Sequence, residues 1–267
     1  KSTVFNAVTG LRQHTGNWPG KTVTNAQGYC ETRTHSYVMV DLPGTYSLLA
    51  HSAEEEVARN FICFGKPDAV IVVCDATCLE RNLNLVLQTM EIAENVIVCV
   101  NLMDEAKRKG IRIDLKALSE RLGVPVVGTA ARKPKTLQAL MDALDEATSN
   151  PPPSRAQAVR YPEAVENSIA TLAPVLHEAF GERINSRWLS LKLLDRDEAL
   201  LREIHTYLGE DVTAQPEVAN AIILANMNLD VHGVSRASIK ELVVSSIVQT
   251  AEQTAAETVH YEKQNYD

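Results

Sequence analysis

The chain has 267 residues, of which 26 are Lys or Arg and 34 are Asp or Glu, giving a formal charge of −8. Without a basic stripe, such a chain is not expected to bind nucleic acid, because neutralising phosphates requires clustered Lys and Arg. The longest apolar runs, 69–74 and 96–100, are far shorter than the roughly 20 residues of a membrane-spanning helix, so the polypeptide itself is expected to be soluble.

Residues 1–147 alternate short β-type runs with stretches of helical periodicity, which predicts a sheet with crossover helices. The predicted strands are 23–31, 36–41, 69–75, 95–101 and 124–129, and the predicted helices are 3–9, 54–64, 79–93, 115–122 and 136–147. The last three strands are apolar throughout, as parallel strands covered on both faces are. The first two are more polar and closely spaced, which predicts an antiparallel hairpin at the edge of the sheet.

Three prolines at 151–153 interrupt this pattern, because proline lacks an amide donor and favours extended chain. We therefore expect one domain over 1–149 and a second over 150–267. No strand is expected in the second domain, and its predicted helices are 162–180, 187–194, 197–208, 216–227 and 235–261.

A carboxylate and a glycine follow the second predicted strand in the run Asp41-Leu42-Pro43-Gly44. Ligands of α/β folds bind at the carboxyl edge of the sheet. There Asp41 could hold a Mg²⁺-bound water, and the Gly44 amide could meet a terminal phosphate. The pattern alone is weak, since a simple strand-ending turn would look the same.

The run Asn101-Leu102-Met103-Asp104 follows a later strand and fits the pattern that recognises guanine. Guanine offers two adjacent donors, N1–H and the N2 amino group, and one carboxylate at Asp104 can accept both. A site built on such charge-assisted bonds, each worth about 1.5–3 kcal/mol, rejects bases without that donor pair. Leu102 replaces the usual Lys, and Thr129-Ala130-Ala131 fits the loop whose backbone donors meet the guanine carbonyl.

The first residues, Lys1-Ser2-Thr3, match the end of a P-loop, GxxxxGK[ST], followed by a helix. Lys1 would neutralise the β- and γ-phosphates, and the Ser2 hydroxyl would bind Mg²⁺. The P-loop glycines and the strand that leads into them are expected upstream of Lys1. Thr22 is the candidate switch threonine, whose hydroxyl completes the Mg²⁺ shell in the triphosphate state.

The order of these motifs predicts a guanine-nucleotide-binding domain. The fold class expected is α/β, a Ras-like P-loop GTPase with a mixed, mostly parallel sheet and flanking helices, followed by an all-α domain.

Five longer runs narrow the prediction from a guanine-nucleotide-binding domain to one family. They are RQHTGNWPGKTV (12–23), DLPGTYSL (41–48), EEEVARN (54–60), DATCLERNL (75–83) and NLMDEAKRKGI (101–111). They closely resemble the cytosolic G domain of the bacterial ferrous-iron transport protein B family. By position and helical content, 150–267 resembles that family's second cytosolic domain, described as a guanine-nucleotide dissociation inhibitor.

The resemblance implies a set of residues that contact GTP or its magnesium. They are Lys1, Ser2, Thr3, Gly20, Lys21, Thr22, Val23, Thr24, Asp41, Leu42, Pro43, Gly44, Asn101, Leu102, Met103, Asp104, Thr129, Ala130 and Ala131, with Ser2, Thr22 and (through water) Asp41 at Mg²⁺.

Hydrolysis is expected to be slow, because Thr45 stands where Ras-type GTPases place the glutamine that orients the attacking water. The resemblance implies compensation by K⁺, held by the loop Asn17, Trp18, Pro19 and Gly20 and by a P-loop asparagine that this chain lacks. The backbone amides of Thr22 and Gly44 would then orient the water.

The expected function is GTP binding and slow hydrolysis that regulates ferrous iron uptake, on the cytoplasmic face of the bacterial inner membrane. The expected partners are guanine nucleotide, a membrane transport domain following residue 267 and further copies of the chain. Two alternatives stay open. One is a nucleotide-occupancy switch with negligible turnover, motivated by Thr45. The other is an RNA-associated GTPase of ribosome assembly or tRNA modification, which shares the motifs but against which the −8 charge argues.

Overall fold

The structure, a computed structural model, describes residues 1–10, 13–49, 51–153 and 156–262. Its contacts divide the chain into two compact units, residues 1–158 together with the segment from Thr250 onward, and residues 159–249. This division differs from the predicted boundary between 149 and 150, because the last part of the chain associates with the first unit.

The elements follow one another in the order α1 Ser2–Thr9, β1 Gln13–Asn17, β2 Thr24–Glu31, β3 Ser36–Asp41, α2 Ala53–Phe64, β4 Val70–Asp75, α3 Leu79–Ile92, β5 Val96–Asn101, α4 Met103–Arg108, β6 Ile111–Ile113, α5 Leu115–Leu122, β7 Val126–Gly128, α6 Pro134–Ser149, α7 Glu163–Phe180, α8 Ser186–Asp195, α9 Glu198–Leu208, α10 Pro216–Val231, α11 Arg236–Thr258 and β8 Val259–Tyr261.

An antiparallel sheet in the order β1-β2-β3 contains the predicted hairpin and one additional strand. Strand β1 was not predicted because its sequence is polar and contains Gly16; it exists through its pairing with β2, which sets Asn17 opposite Thr24. The predicted potassium loop 17–20 is therefore the end of a strand followed by a hairpin turn.

A parallel sheet in the order β4-β5-β7 carries, at the ends of β5 and β7, the residues predicted to bind guanine. Strand β5 is buried along its whole length, as expected of a central strand covered by helices. Its register with β4 sets Asn101 opposite Asp75, so both strands end at the same edge. The core against β5 includes Ile97 and Leu140, both fully buried. The predicted α/β fold class is confirmed by the elements and their order.

A largely apolar cleft of about 280 Å³ lies between β3 and β4. Among the described residues, the only strand that pairs with β3 is β2, and the only strand that pairs with β4 is β5, so each of the two turns an unpaired edge to this cleft. The predicted mixed sheet is thus present as two separate groups of strands. Apolar side chains that line the cleft include Phe5, Val40, Ile71, Val73 and Leu144.

The third sheet corrects the prediction that the C-terminal region has no strand. The helix predicted over 235–261 ends at Thr258, and Val259–Tyr261 pairs antiparallel with Ile111–Ile113. Three-residue strands carry too little periodicity to be recognised, and this pair joins distant parts of the sequence.

The second unit is built from α7–α10 and most of α11. Helix α7 packs against α8 and α10, and the fully buried Ser168 hydroxyl donates to the Ala225 carbonyl at 3.0 Å. The Asn228 amide donates to Ser168 Oγ at 2.9 Å, which satisfies the polar groups between these helices. In the described part of the chain, no helix combines the length and hydropathy needed to span a membrane.

Candidate guanine-nucleotide site

The phosphate end of the candidate site is organised by Lys1 and Asp41. Lys1 precedes the first turn of α1, and Asp41 is the last residue of β3. The Lys1 Nζ lies 2.8 Å from Asp41 Oδ1 and also donates to the Leu42 carbonyl oxygen. The two side chains that the motifs assign to phosphate and magnesium therefore meet, and Lys1 must leave Asp41 to neutralise a phosphate.

Three oxygen groups were predicted to hold Mg²⁺: Ser2, Thr22 and Asp41. Both hydroxyl residues are exposed, and within the described chain neither hydroxyl has a hydrogen-bond partner. Hydroxyl and carboxylate oxygens are the ligand types that Mg²⁺ prefers, and it usually keeps several waters, so these donors fit the ion chemically. No hydrogen bond joins Thr22 to Lys1 or Asp41 in the described residues. Nor do three His, Cys, Asp or Glu side chains come together there as a different metal site.

The hairpin turn before Thr22 is a well-formed Trp18-Pro19-Gly20-Lys21 turn. The Lys21 amide donates to the Trp18 carbonyl at 3.0 Å, and Gly20 has φ +70°. Proline second and glycine third is the pattern of a type II turn, which requires positive φ at the third residue. The sequence thus places Gly20 where its conformational freedom is needed.

Two contacts fasten this turn to helix α2. The Trp18 ring packs edge-on against Phe61 with centroids 5.4 Å apart, and Lys21 Nζ lies 2.8 Å from Glu56 Oε1. Trp18 therefore anchors the turn through α2. Of the predicted contact residues, Val23 is buried and Thr24 begins β2.

The base end of the site is assembled by Asn101. Its Oδ1 accepts from the Thr129 hydroxyl at 3.0 Å and from the Ala131 amide at 3.1 Å. The Met103 amide donates to the Thr129 carbonyl at 3.1 Å. Asn101 and Thr129 are buried, so the guanine motif and the following loop form one hydrogen-bonded unit.

The loop amides are already used within the protein. The Ala130 amide donates to the Thr136 hydroxyl at 3.1 Å, and the Ala131 amide to Asn101. A guanine carbonyl would therefore have to share or displace one of these bonds. Sequence reasoning missed Thr136; a threonine in the first turn of the helix after the loop was the available signal.

Asp104 lies in the first turn of α4, directly beyond Leu102. Leu102 has φ +63°, a left-handed conformation that turns the chain sharply between strand and helix. The Asp104 carboxylate is half-buried, and no hydrogen bond or ion pair of the described residues occupies it. A free carboxylate at a helix start beside the Thr129 loop can accept the paired donors of guanine.

Beneath this end of the site lies the Cys99 thiol, 3.3 Å from the Thr129 hydroxyl. Burial raises the pKa of Cys99 although the Thr129 contact opposes the shift. Cys99 is therefore a neutral packing group, and it supports Thr129 from below.

The parallel sheet, the Lys-Ser-Thr helix start, the Asp41–Gly44 turn and the Asn101–Asp104 unit define a P-loop GTPase-like domain, followed by helices. Residues 1–144 match the model of ferrous iron transport protein B, and 161–260 match the FeoB cytosolic helical domain. The chain belongs to the FeoB family.

Curated relatives include the Fe(2+) transporters FeoB of Escherichia coli K12 and Salmonella typhimurium, which are 39% and 38% identical over 201 residues. The match covers 74% of this chain and 26% of each relative, so the chain spans about a quarter of their length.

Solved structures of the family share the fold. The cytosolic domain of the T. maritima FeoB iron transporter in apo form superposes with a TM-score of 0.78 at 29% identity, covering 97% of this chain and 94% of that one. A GDP-bound A143S mutant of the S. thermophilus FeoB G-domain gives 0.79 at 28% identity, covering 97% and 95%.

Proposed function

We propose that this chain binds GTP and hydrolyses it slowly, and that its nucleotide state regulates ferrous iron uptake. The observation that carries the proposal is that the residues predicted for each end of the site contact one another within that end. Lys1 meets Asp41 at one end, and at the other Asn101 fastens the Thr129–Ala131 loop beside the free carboxylate of Asp104. Structures of relatives in GDP and GMPPNP forms add support from T. maritima FeoB.

Each residue has a definite task in this proposal. Asp104 binds the guanine donors, and Lys1 leaves Asp41 to bind the β- and γ-phosphates. Ser2, Thr22 and, through water, Asp41 would hold Mg²⁺, which supplies charge neutralisation on the phosphates when bound. The backbone amides of Thr22 and Gly44 orient the attacking water.

Turnover is expected to be slow because Thr45, which stands at the position of the Ras-type glutamine, does not orient the attacking water. Its hydroxyl donates to the Ser47 carbonyl at 2.6 Å and accepts from the Ser47 amide at 3.1 Å, so it is engaged by its own turn. We infer that K⁺ held by the loop 17–20 compensates for the missing glutamine. Exposed carbonyl-bearing residues there, such as Pro19 and Gly20, are accessible to a cation.

The test is single-turnover GTP hydrolysis by the intact protein in K⁺ and in Na⁺ at equal ionic strength. We expect a rate constant on the order of 10⁻⁴ to 10⁻² s⁻¹, higher in K⁺. An equal rate in both salts would contradict the potassium role. Tight GTP binding with no detectable hydrolysis in either salt would instead favour the second candidate, a nucleotide-occupancy switch, which the engaged Thr45 hydroxyl also supports.

We further propose that the chain works at the cytoplasmic face of the bacterial inner membrane, joined to the transport domain of the same polypeptide. This placement is supported by the family membership and by the match of the chain to about a quarter of the length of an Fe(2+) transporter. We also propose that the chain assembles with further copies of itself. The molecular mass of the detergent-solubilised protein in solution tests this.

A further inference from the structure

The segment that follows Gly44 lies against one face of helix α3. Residues 45–49 contain no regular secondary structure, yet Leu48 is buried and its neighbours are half-buried, apart from Tyr46. A loop without a sheet or helix ladder needs other partners for its buried amides. Those partners come from α3.

Gln88 supplies the central contact. Its Oε1 accepts from the Leu48 amide at 2.6 Å and from the Ser47 hydroxyl at 3.2 Å. Ser47 Oγ in turn accepts from the Leu49 amide at 3.1 Å. One side-chain oxygen therefore organises three consecutive residues of the segment.

Arg81 provides a second contact two helical turns before Gln88. Its guanidinium lies 4.0 Å from the centroid of the Tyr46 ring, within the range of a cation–π interaction. Residues seven apart lie on the same face of a helix. Arg81 and Gln88 thus form a polar face of α3 opposite the buried residues Leu83 and Leu87.

We propose that Gln88 is a positioning residue for GTP hydrolysis, which holds the segment 45–49 so that the Gly44 amide is directed at the terminal phosphate. The proposal rests on the GTPase function proposed above. Only three residues separate Gly44 from Leu48, so the Leu48–Gln88 bond fixes the C-terminal end of a very short span. Loss of this bond broadens the orientations of Gly44 without touching the base-binding end of the site.

The chemistry at Gln88 calls for an acceptor, because both of its contacts with the segment use Oε1. Glutamate keeps an acceptor there, whereas methionine has similar size and flexibility and offers only a weakly accepting sulfur. Gln88→Glu and Gln88→Met therefore separate hydrogen bonding from packing. Gln138→Met on α6 is the matched control, because Gln138 is exposed and, of the described residues, bonds only Asp142 on its own helix.

The experiment measures single-turnover GTP hydrolysis and the GDP dissociation constant of the intact protein and the three variants. From the loss of two hydrogen bonds we expect Gln88→Met to slow hydrolysis about tenfold, while GDP affinity stays within about twofold because the base contacts are intact. Gln88→Glu should restore most of the rate, and Gln138→Met should match the parent.

Four outcomes would contradict either the positioning role or the GTPase function on which it rests. A parental rate in Gln88→Met, or equal impairment in Gln88→Glu and Gln88→Met, would overturn the positioning role. A parent that neither binds GDP nor hydrolyses GTP would refute the GTPase function instead. If Gln88→Met folds poorly, hydrogen exchange of the Leu48 amide in Gln88→Glu and Gln88→Ala decides: we expect protection in the first and at least about tenfold faster exchange in the second, and equal exchange would contradict the proposal.

Discussion

The Asp104 carboxylate lies beside the predicted base site and is free to accept hydrogen bonds from the base. The left-handed backbone at Leu102 starts helix α4 directly beyond β5, which sets the Asp104 carboxylate beside the Thr129 loop. Among the described residues the carboxylate has no partner to lose when it accepts hydrogen bonds. Binding of the base therefore costs this carboxylate its hydration but no hydrogen bond or ion pair with the described residues.

Asp104→Asn should weaken GTP binding by about 10²-fold or more, since two charge-assisted hydrogen bonds are worth about 1.5–3 kcal/mol each. The same variant should gain affinity for xanthosine triphosphate, because xanthine has a carbonyl where guanine has its amino group. Competition binding with both nucleotides measures the exchange. Glu105→Gln, one residue further along α4, is the control, and unchanged GTP affinity in Asp104→Asn would refute the guanine assignment.

At the residue level, motifs beside strand ends predict that Asn101, Thr129 and Ala131 lie around the guanine. The structure joins these three residues by hydrogen bonds, and their contacts with guanine stay a prediction. Gln88 and Thr136 escaped notice because each acts on a backbone group distant in sequence, which no local pattern records. The Lys1–Asp41 ion pair also depends on tertiary proximity.

In the helical unit, an ion pair between Arg187 and Glu166 joins helices α8 and α7. Arg187 of α8 makes a two-pronged contact with Glu166 of α7, with N–O distances of 2.8 and 2.9 Å. The Tyr161 amide also donates to Glu166 at 2.8 Å. Burial acts to raise the pKa of Glu166, but the hydrogen bonds and charge of Arg187 outweigh it and hold the pKa below its usual value.

This lowered pKa gives a pH-dependent stability with a defined sign. The contribution of Glu166 is fully present above the unfolded-state pKa, about 4.5, and is lost as the pH falls through the lower folded-state pKa. Glu166→Gln should reduce the free energy of unfolding by about 2 kcal/mol at pH 7 and by less at pH 3, which lies below the unfolded-state pKa. Urea unfolding at both values tests this.

The control for that experiment is Glu163→Gln, in the first turn of the same helix. Glu163 is exposed and no ion pair of the described residues involves it. A loss at pH 7 as large as that of Glu166→Gln, or a Glu166→Gln effect that is the same at pH 3, would contradict the role of the ion pair.

Element prediction from sequence was reliable where periodicity was long and apolar, as in β5 and α3. It failed for β1, whose polar residues become a strand only beside β2, and for β6 and β8, which stabilise each other. In all three cases the strand arises from a partner and not from its own composition.

At the scale of the whole molecule, the chain comprises two compact units, and the division falls inside α11. Composition predicted two domains, but not that the last residues belong with the first. The contacts that join these last residues to the first unit include the three-residue pairing of β6 with β8 and the hydrogen bond from the Asp114 amide to the Thr258 carbonyl at 2.8 Å.

The unpaired edges of β3 and β4 have a consequence for how this polypeptide behaves in isolation. Open strand edges beside apolar surface are templates for strand addition and aggregation. Such an edge also accepts an extended segment that pairs with it. Since β3 and β4 each leave one edge unpaired among the described residues, one further extended strand in the cleft between them would join the two groups of strands into a single sheet.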